Sequence, residues 1–158
     1  MYRHILIPTD GSEVAHKAVT EGLALAKVLG AKITALTVEA SFNVYDVPSS
    51  RDLQMSGAFD EHFEQAKAHA TKILSGVADA AMAAGVTCDT VQVEHNHPYK
   101  AIIETAKERG CDLIVMASHG RHGISAIILG SETLKVLTYS KKCTRVFQDP
   151  GTPPPLIR

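Results

Sequence analysis

The residues best suited to chemistry fall in two short segments. In the longer one, Met116–Thr133, glycines at 120, 123 and 130 let backbone N–H groups approach an anion with no Cβ in the way. Gly130-Ser131 opens an amphipathic stretch, so the free N–H groups and positive dipole end of a helix fall beside those glycines, which suits phosphate. Ser131 and Thr133 offer hydroxyl donors and Arg121 a fixed positive charge. The spacing is neither the Rossmann GxGxxG nor a P-loop, because no Gly-Lys-Ser/Thr triplet occurs. Local chemistry leaves a plainer alternative open, in which Gly120 and Gly123 turn the chain and Gly130-Ser131 caps a helix. The shorter segment, Pro8–Ser12, sets Asp10 just after an apolar run, where its carboxylate can accept from a ribose hydroxyl or close an Asx turn.

Other candidates carry less. His119 and His122 form a His-x-x-His, which in nucleotidyl transferases follows the first strand rather than the fourth, so polar loop residues near phosphate are the better expectation. His95-x-His97 could put two imidazoles on one side of a strand end, but no third metal ligand is placed by spacing. His62 and His69 share a helical face and read as exposed. Cys88, Cys111 and Cys143 form no CxxC; Cys111 reads as a small inert hydrophobe, and neither of the others has a basic activator.

The elements that must position these groups follow from periodicity. His4–Pro8 is a short apolar run closed by turn formers, a buried strand. Ser12 caps a helix over Glu13–Leu29 that stops at Gly30, and Lys32–Val38 is a second strand. Residues 39–57 have no sustained period and read as a long loop. Phe59, Phe63, Ala66, Ala70, Ile73, Leu74, Val77 and Ala81 then keep helical spacing up to Gly85, the aromatic pair reading as core. Val86–Glu94 is a third strand. Pro98 starts a helix with Ala101, Ile102, Ile103 and Ala106 inward, ending at Gly110. Asp112–Ala117 reads as a strand buried on both faces, followed by the glycine loop, a helix near Glu132–Tyr139 and a last strand, Thr144–Gln148. Alternating strands and helices imply a doubly wound open parallel α/β sheet, whose ligands bind at the carboxyl ends of strands where the order reverses. Residues 1–148 form one domain on this reading, and 149–158 a Pro-rich flexible tail.

Composition bounds the function class. The 158 residues are 45% hydrophobic and 21% charged, with a net charge of −1, so the electrostatic footprint of a nucleic-acid binder is missing. No apolar run approaches the roughly 18 residues of a membrane span. Three unpaired cysteines and the lack of a signal-like start suggest a reduced, cytoplasmic setting.

The chain resembles the universal stress proteins. ATP-binding members carry Gly-x2-Gly-x9-Gly-Ser/Thr after the fourth strand, and here that register is Ala117-x2-Gly120-x9-Gly130-Ser131. The opening Ile5-Leu-Ile-Pro-Thr-Asp-Gly-Ser and the run Gly130-Ser-Glu-Thr-Leu-Lys-Val-Leu are also typical, and the likeness spans residues 2–147. The resemblance implies five parallel strands in the order 3-2-1-4-5 with helices on both faces, and a homodimer. It implies that Pro8, Thr9 and Asp10 meet ribose and adenine, and that the Val38 backbone meets the adenine edge. Met116 and Ala117 would line the nucleoside pocket. Gly120, Arg121, His122, Gly123, Gly130, Ser131, Glu132 and Thr133 would surround the phosphates. Three departures stand out. Ala117 replaces a glycine, a small methyl that could crowd the ribose; Asn96 replaces another at little cost, since Asn tolerates the left-handed region; and Arg145 stands in the last strand where the usual dimer edge is apolar.

The implied function is a stress-response or regulatory protein that binds ATP or AMP, with Mg²⁺ arriving on the phosphates and an unidentified protein partner. No paired carboxylates or P-loop lysine support fast hydrolysis, so at most slow turnover is expected. The alternative is a dimeric interaction module that needs no nucleotide.

Overall fold

A computed structural model of the chain describes residues 1–41, 58–118 and 129–148. The described elements are β1 (His4–Pro8), α1 (Glu13–Leu29), β2 (Lys32–Glu39), α2 (Ala58–Ala84), β3 (Cys88–Glu94), α3 (Pro98–Glu108), β4 (Leu113–Ala117), α4 (Ser131–Tyr139) and β5 (Cys143–Phe147). The five strands form one parallel sheet in the order β3-β2-β1-β4-β5. The expected architecture and strand order are therefore present. The 39–57 loop falls outside the described residues from 42 onward, as do the tail after Gln148 and the side chains of Phe59, His62 and Phe63.

Strand alternation divides the core. Ile5, Ile7, Ile33, Ala35, Leu113 and Val115 turn to one face, against Val19, Leu23 and Ala26 of α1 and Leu74, Val77 and Ala81 of α2. Leu6, Leu36, Ile114 and Met116 turn to the other, against Ile102 and Ala106 of α3 and Val136 of α4. β1 and β4 are buried on both faces, which is why they read as unbroken apolar runs. Ser12 caps α1, its Oγ accepting from the Ala15 amide at 3.2 Å, and Gly30 ends that helix at φ 64°. Gly22 lets α1 lie close to the sheet: a Cβ there would come within 2.5 Å of Ile7 Cδ1 and 3.3 Å of Val115 Cγ1.

Several boundaries differ from expectation for identifiable reasons. β3 begins at Cys88, because the Val86 amide closes the end of α2 on the Ala81 carbonyl at 2.9 Å. β4 begins at Leu113, since the Asp112 carboxylate accepts from the Arg3 and His4 amides instead of continuing a strand pattern. α4 starts one residue earlier than expected, at Ser131, and β5 runs Cys143–Phe147 in register with Leu113–Ala117. Ala66 is exposed rather than inward, and Ile103 only half-buried. The 27 residues of α2 span about 40 Å and the eight of β2 about 26 Å, so the helix outruns the sheet.

Two titratable groups tie stability to pH. Burial, and then the Lys32 charge, hold the His4 imidazole below its usual 6.5, while its Nε2 lies 2.8 Å from Thr34 Oγ1. Burial works against the Asp112 carboxylate, but amide donors from Arg3 and His4 outweigh it and bring that group below 3.8. Below pH 6.5 the unfolded chain binds a proton at His4 that the folded chain refuses, so stability rises with pH through that window. Asp112 adds a loss of the same sign below its ordinary 3.8. Urea unfolding between about pH 5.5 and 7.5, roughly one unit either side of the imidazole value, should therefore show a His4-dependent slope that flattens in His4→Asn; equal slopes in the two proteins would contradict this assignment.

Candidate functional site

β1 and β4 are neighbours, but the chain leaves them in opposite directions, β1 toward β2 and β4 toward β5. Their pairing is brief. β1 pairs with β2 up to Pro8↔Leu36, yet with β4 only at Ile5↔Leu113 and Leu6↔Ile114. The cause lies in the residue types. The His4 carbonyl faces β4, where it accepts from the Asp112 amide at 2.9 Å, and the Thr9 amide faces β2, donating to Leu36 at 2.8 Å. Alternation turns position 8 toward β4, and proline has no N–H to give there. The switch point, where sheets of this kind carry their ligand crevice, lies beyond the carboxyl ends of both strands.

One wall is the turn after β1. Thr9 is buried; its carbonyl accepts from Thr37 Oγ1 at 3.0 Å and its own Oγ1 accepts from the Gly11 amide at 3.3 Å. Asp10 Oδ1 accepts from the Ser12 amide at 2.9 Å, with Gly11 at φ 75°. This is the Asx turn, and it fixes the direction of the carboxylate at the sheet end. β2 continues past β1. The Leu36 carbonyl faces β1 and the Glu39 carbonyl faces β3, where it accepts from the His95 amide at 2.8 Å. Alternation therefore turns the Val38 N–H and C=O toward the side of β1, beyond the end of that strand.

The other wall joins β4 to α4. The Ser118 amide donates to the Phe147 carbonyl at 2.7 Å, and the Ser118 carbonyl accepts from the Gly130 amide at 2.8 Å. Thr133 Oγ1 donates to the same Ser118 carbonyl at 3.2 Å and to Ala117 at 3.1 Å. The ends of the glycine loop are thus pinned together, although Gly120, Arg121, His122 and Gly123, with His119, lie outside the described residues. Gly130 precedes α4 and supplies no side-chain cap to the first-turn amides of Ser131, Glu132 and Thr133. The Ser131 side chain is exposed beside them. The Thr133 hydroxyl is 3% exposed, with its proton directed at the carbonyls of Ala117 and Ser118.

Two further side chains differ from simple expectation. The Ala117 methyl, which could crowd a ribose, packs with Ala15 and Ala18 of α1. Glu132 turns toward α3, its Oε2 accepting from the Tyr99 amide at 2.8 Å and its Oε1 from Lys135 Nζ at 2.7 Å. The Glu132 hydrogen bond holds the Lys135 ammonium above its usual range, and that ammonium also lies 5.3 Å from the Tyr99 ring centre. Sequence reading missed Ser118, Tyr99 and Lys135; the Ser118 role was signalled only by its place directly after β4. Met116 lies in the same cluster as Leu6, Leu36 and Val38, beneath the crevice.

The remaining candidates stay outside this arrangement. The His97 amide donates to His95 Nδ1 at 2.8 Å, and among the described residues no group of three or more His, Cys, Asp or Glu side chains is placed to hold a metal ion. Burial pushes the Cys111 thiol up to about 11, leaving it protonated. No described helix is long and apolar enough to cross a membrane.

The sequence profile of the universal stress protein family matches residues 1–144. The universal stress protein MJ0531 of Methanocaldococcus jannaschii is 32% identical over 137 residues, covering 87% of this chain and 76% of that protein. Among solved structures, the protein MJ0577 superposes with a TM-score of 0.80 at 25% identity, covering 96% of this chain and 99% of the other. A universal stress protein in complex with cAMP superposes with a TM-score of 0.67 at 28% identity, covering 92% and 97%.

The pin at Ser118 can be measured. Thr133→Val keeps the shape and removes the donor, so it should lower the unfolding free energy by about 1–2 kcal/mol. Unchanged urea stability in that variant would mean that the hydroxyl does not hold α4 to β4.

Proposed function

Because the chain belongs to the universal stress protein family, we propose that the crevice between β1 and β4 binds an adenine nucleotide and that the protein acts as a regulatory, stress-response binder. The observation that carries this reading is the first turn of α4. Its amides have no cap from Gly130, carry the positive end of the helix dipole, and are pinned to the carboxyl end of β4 at the switch point. The 28%-identical relative holds cAMP, which supports a ligand of this chemistry here. Ribose would meet the Asp10 carboxylate and the turn at Pro8 and Thr9, and adenine the Val38 backbone. Met116 and Ala117 would line the nucleoside. Phosphate would lie at Gly130–Thr133, with Gly120, Arg121, His122 and Gly123 contributed by the glycine loop.

AMP or ATP is the proposed ligand, and Mg²⁺ would accompany the phosphates of ATP. Hydrolysis enters this proposal only as slow turnover. A homodimer through the outer edge of β5 and a cytoplasmic setting belong to the same proposal. Arg145 is exposed there, with its guanidinium carbon 5.1 Å from the Phe147 ring centre.

Thermal unfolding of dialysed protein, titrated with AMP, ATP and GTP with and without Mg²⁺, tests the reading. A folded-state ligand adds about 2.7 kcal/mol at 100 times its Kd, so a saturable rise with adenine nucleotides is expected. Ser131→Asp places a carboxylate beside the first-turn amides, which should preserve α4 and weaken nucleotide binding at least about tenfold. Absence of any shift with nucleotide-free protein would hand the chain to the alternative, an interaction module independent of nucleotide.

A further inference from the structure

A carboxylate in the first turn of α4 opposes an anionic ligand, yet Glu132 stands there with both oxygens held. Lys135 takes Oε1 at 2.7 Å, and the Tyr99 amide donates to Oε2 at 2.8 Å. Tyr99 lies in the first turn of α3. That turn has no acidic residue, and its N-cap residue, His97, makes no side-chain cap. Glu132 therefore caps α3 from a different helix, 33 residues away in sequence. Hydrogen bonds continue behind Tyr99. The His97 amide donates to His95 Nδ1 at 2.8 Å, the His95 amide to the Glu39 carbonyl at 2.8 Å, and the Ser41 hydroxyl to Asn96 Oδ1 at 2.6 Å. Glu39 adjoins Val38. The base end of the crevice and the first turn of α4 are thus joined around the turn between β3 and α3.

We propose that the Glu132 side chain is a positioning group for phosphate rather than a phosphate contact. Acting through Tyr99, it holds the first turn of α4 in register with the turn between β3 and α3. Lys135 neutralises its charge, so the helix N-terminus stays attractive to an anion. The proposal rests on the nucleotide reading above and adds to it a residue that sets how well the phosphate half is formed. Adenosine, which has no phosphate, should be indifferent to it.

Calorimetric titration of adenosine and of AMP into wild type, Glu132→Gln and Glu132→Ala tests this, with amide hydrogen exchange of the ligand-free proteins as a second readout. Glutamine keeps a carbonyl oxygen for the Tyr99 amide, and alanine keeps nothing. Glu132→Ala should weaken AMP about tenfold, leave adenosine as in wild type, and speed exchange at Tyr99 and Leu134. Glu132→Gln should stay within about threefold of wild type for AMP and retain slow exchange at Tyr99. Tighter AMP binding by both variants would overturn the role and identify Glu132 as a repelling charge. No change, or equal losses for adenosine and AMP, would overturn it too. Wild-type protein that binds neither ligand would remove the nucleotide site itself, a failure visible before any variant is made.

Discussion

The carbonyl of Ser118 is where the strand, the loop and the last helix meet. It accepts from the Gly130 amide and the Thr133 hydroxyl, while the Ser118 amide is held by Phe147 of β5. Without that contact the glycine loop would have no fixed ends, and the free amides of α4 would have no defined position relative to β4. Its neighbours reinforce it. Thr133 is buried, Val136 is wholly enclosed by the face that holds Ile114 and Met116, and Glu132 reaches across to α3. A helix N-terminus is a common feature of proteins; a helix N-terminus pinned at a topological switch point is a much narrower one.

The opposite wall depends on a missing group. Pro8 cannot donate to β4, so the parallel pairing stops early and the crevice opens between two strands that are otherwise central and buried. Thr9 and Thr37 then hold β1 and β2 together just above the gap. Recognition would then fall largely to backbone groups and a few polar side chains on rigid elements.

Local signals made much of this legible in the sequence. β1 has the expected limits because an unbroken apolar run meets Pro-Thr-Asp-Gly, and α1 begins and ends where Ser12 and Gly30 place it. The strand order came from resemblance, since alternation alone implies a parallel sheet without ordering its strands. What escaped reading was tertiary. Thr133 looks like a free hydroxyl until the carbonyls of Ala117 and Ser118 are beside it. Ala117 looks like an obstruction until its methyl is seen to pack against α1. The Glu132 carboxylate looks free until Tyr99 and Lys135 occupy its oxygens. Val86 fits the alternation of β3, but its amide is needed to close α2.

The central claim is that a nucleotide occupies the crevice with its phosphate on α4. Backbone amide chemical shifts of isotopically labelled protein, followed as AMP is added, test it most directly. The account predicts that the largest changes fall together on Thr9, Val38, Ser131, Glu132 and Thr133, on both walls of the crevice. Changes confined to the outer strands or to α2, with those amides unmoved at saturation, would contradict it.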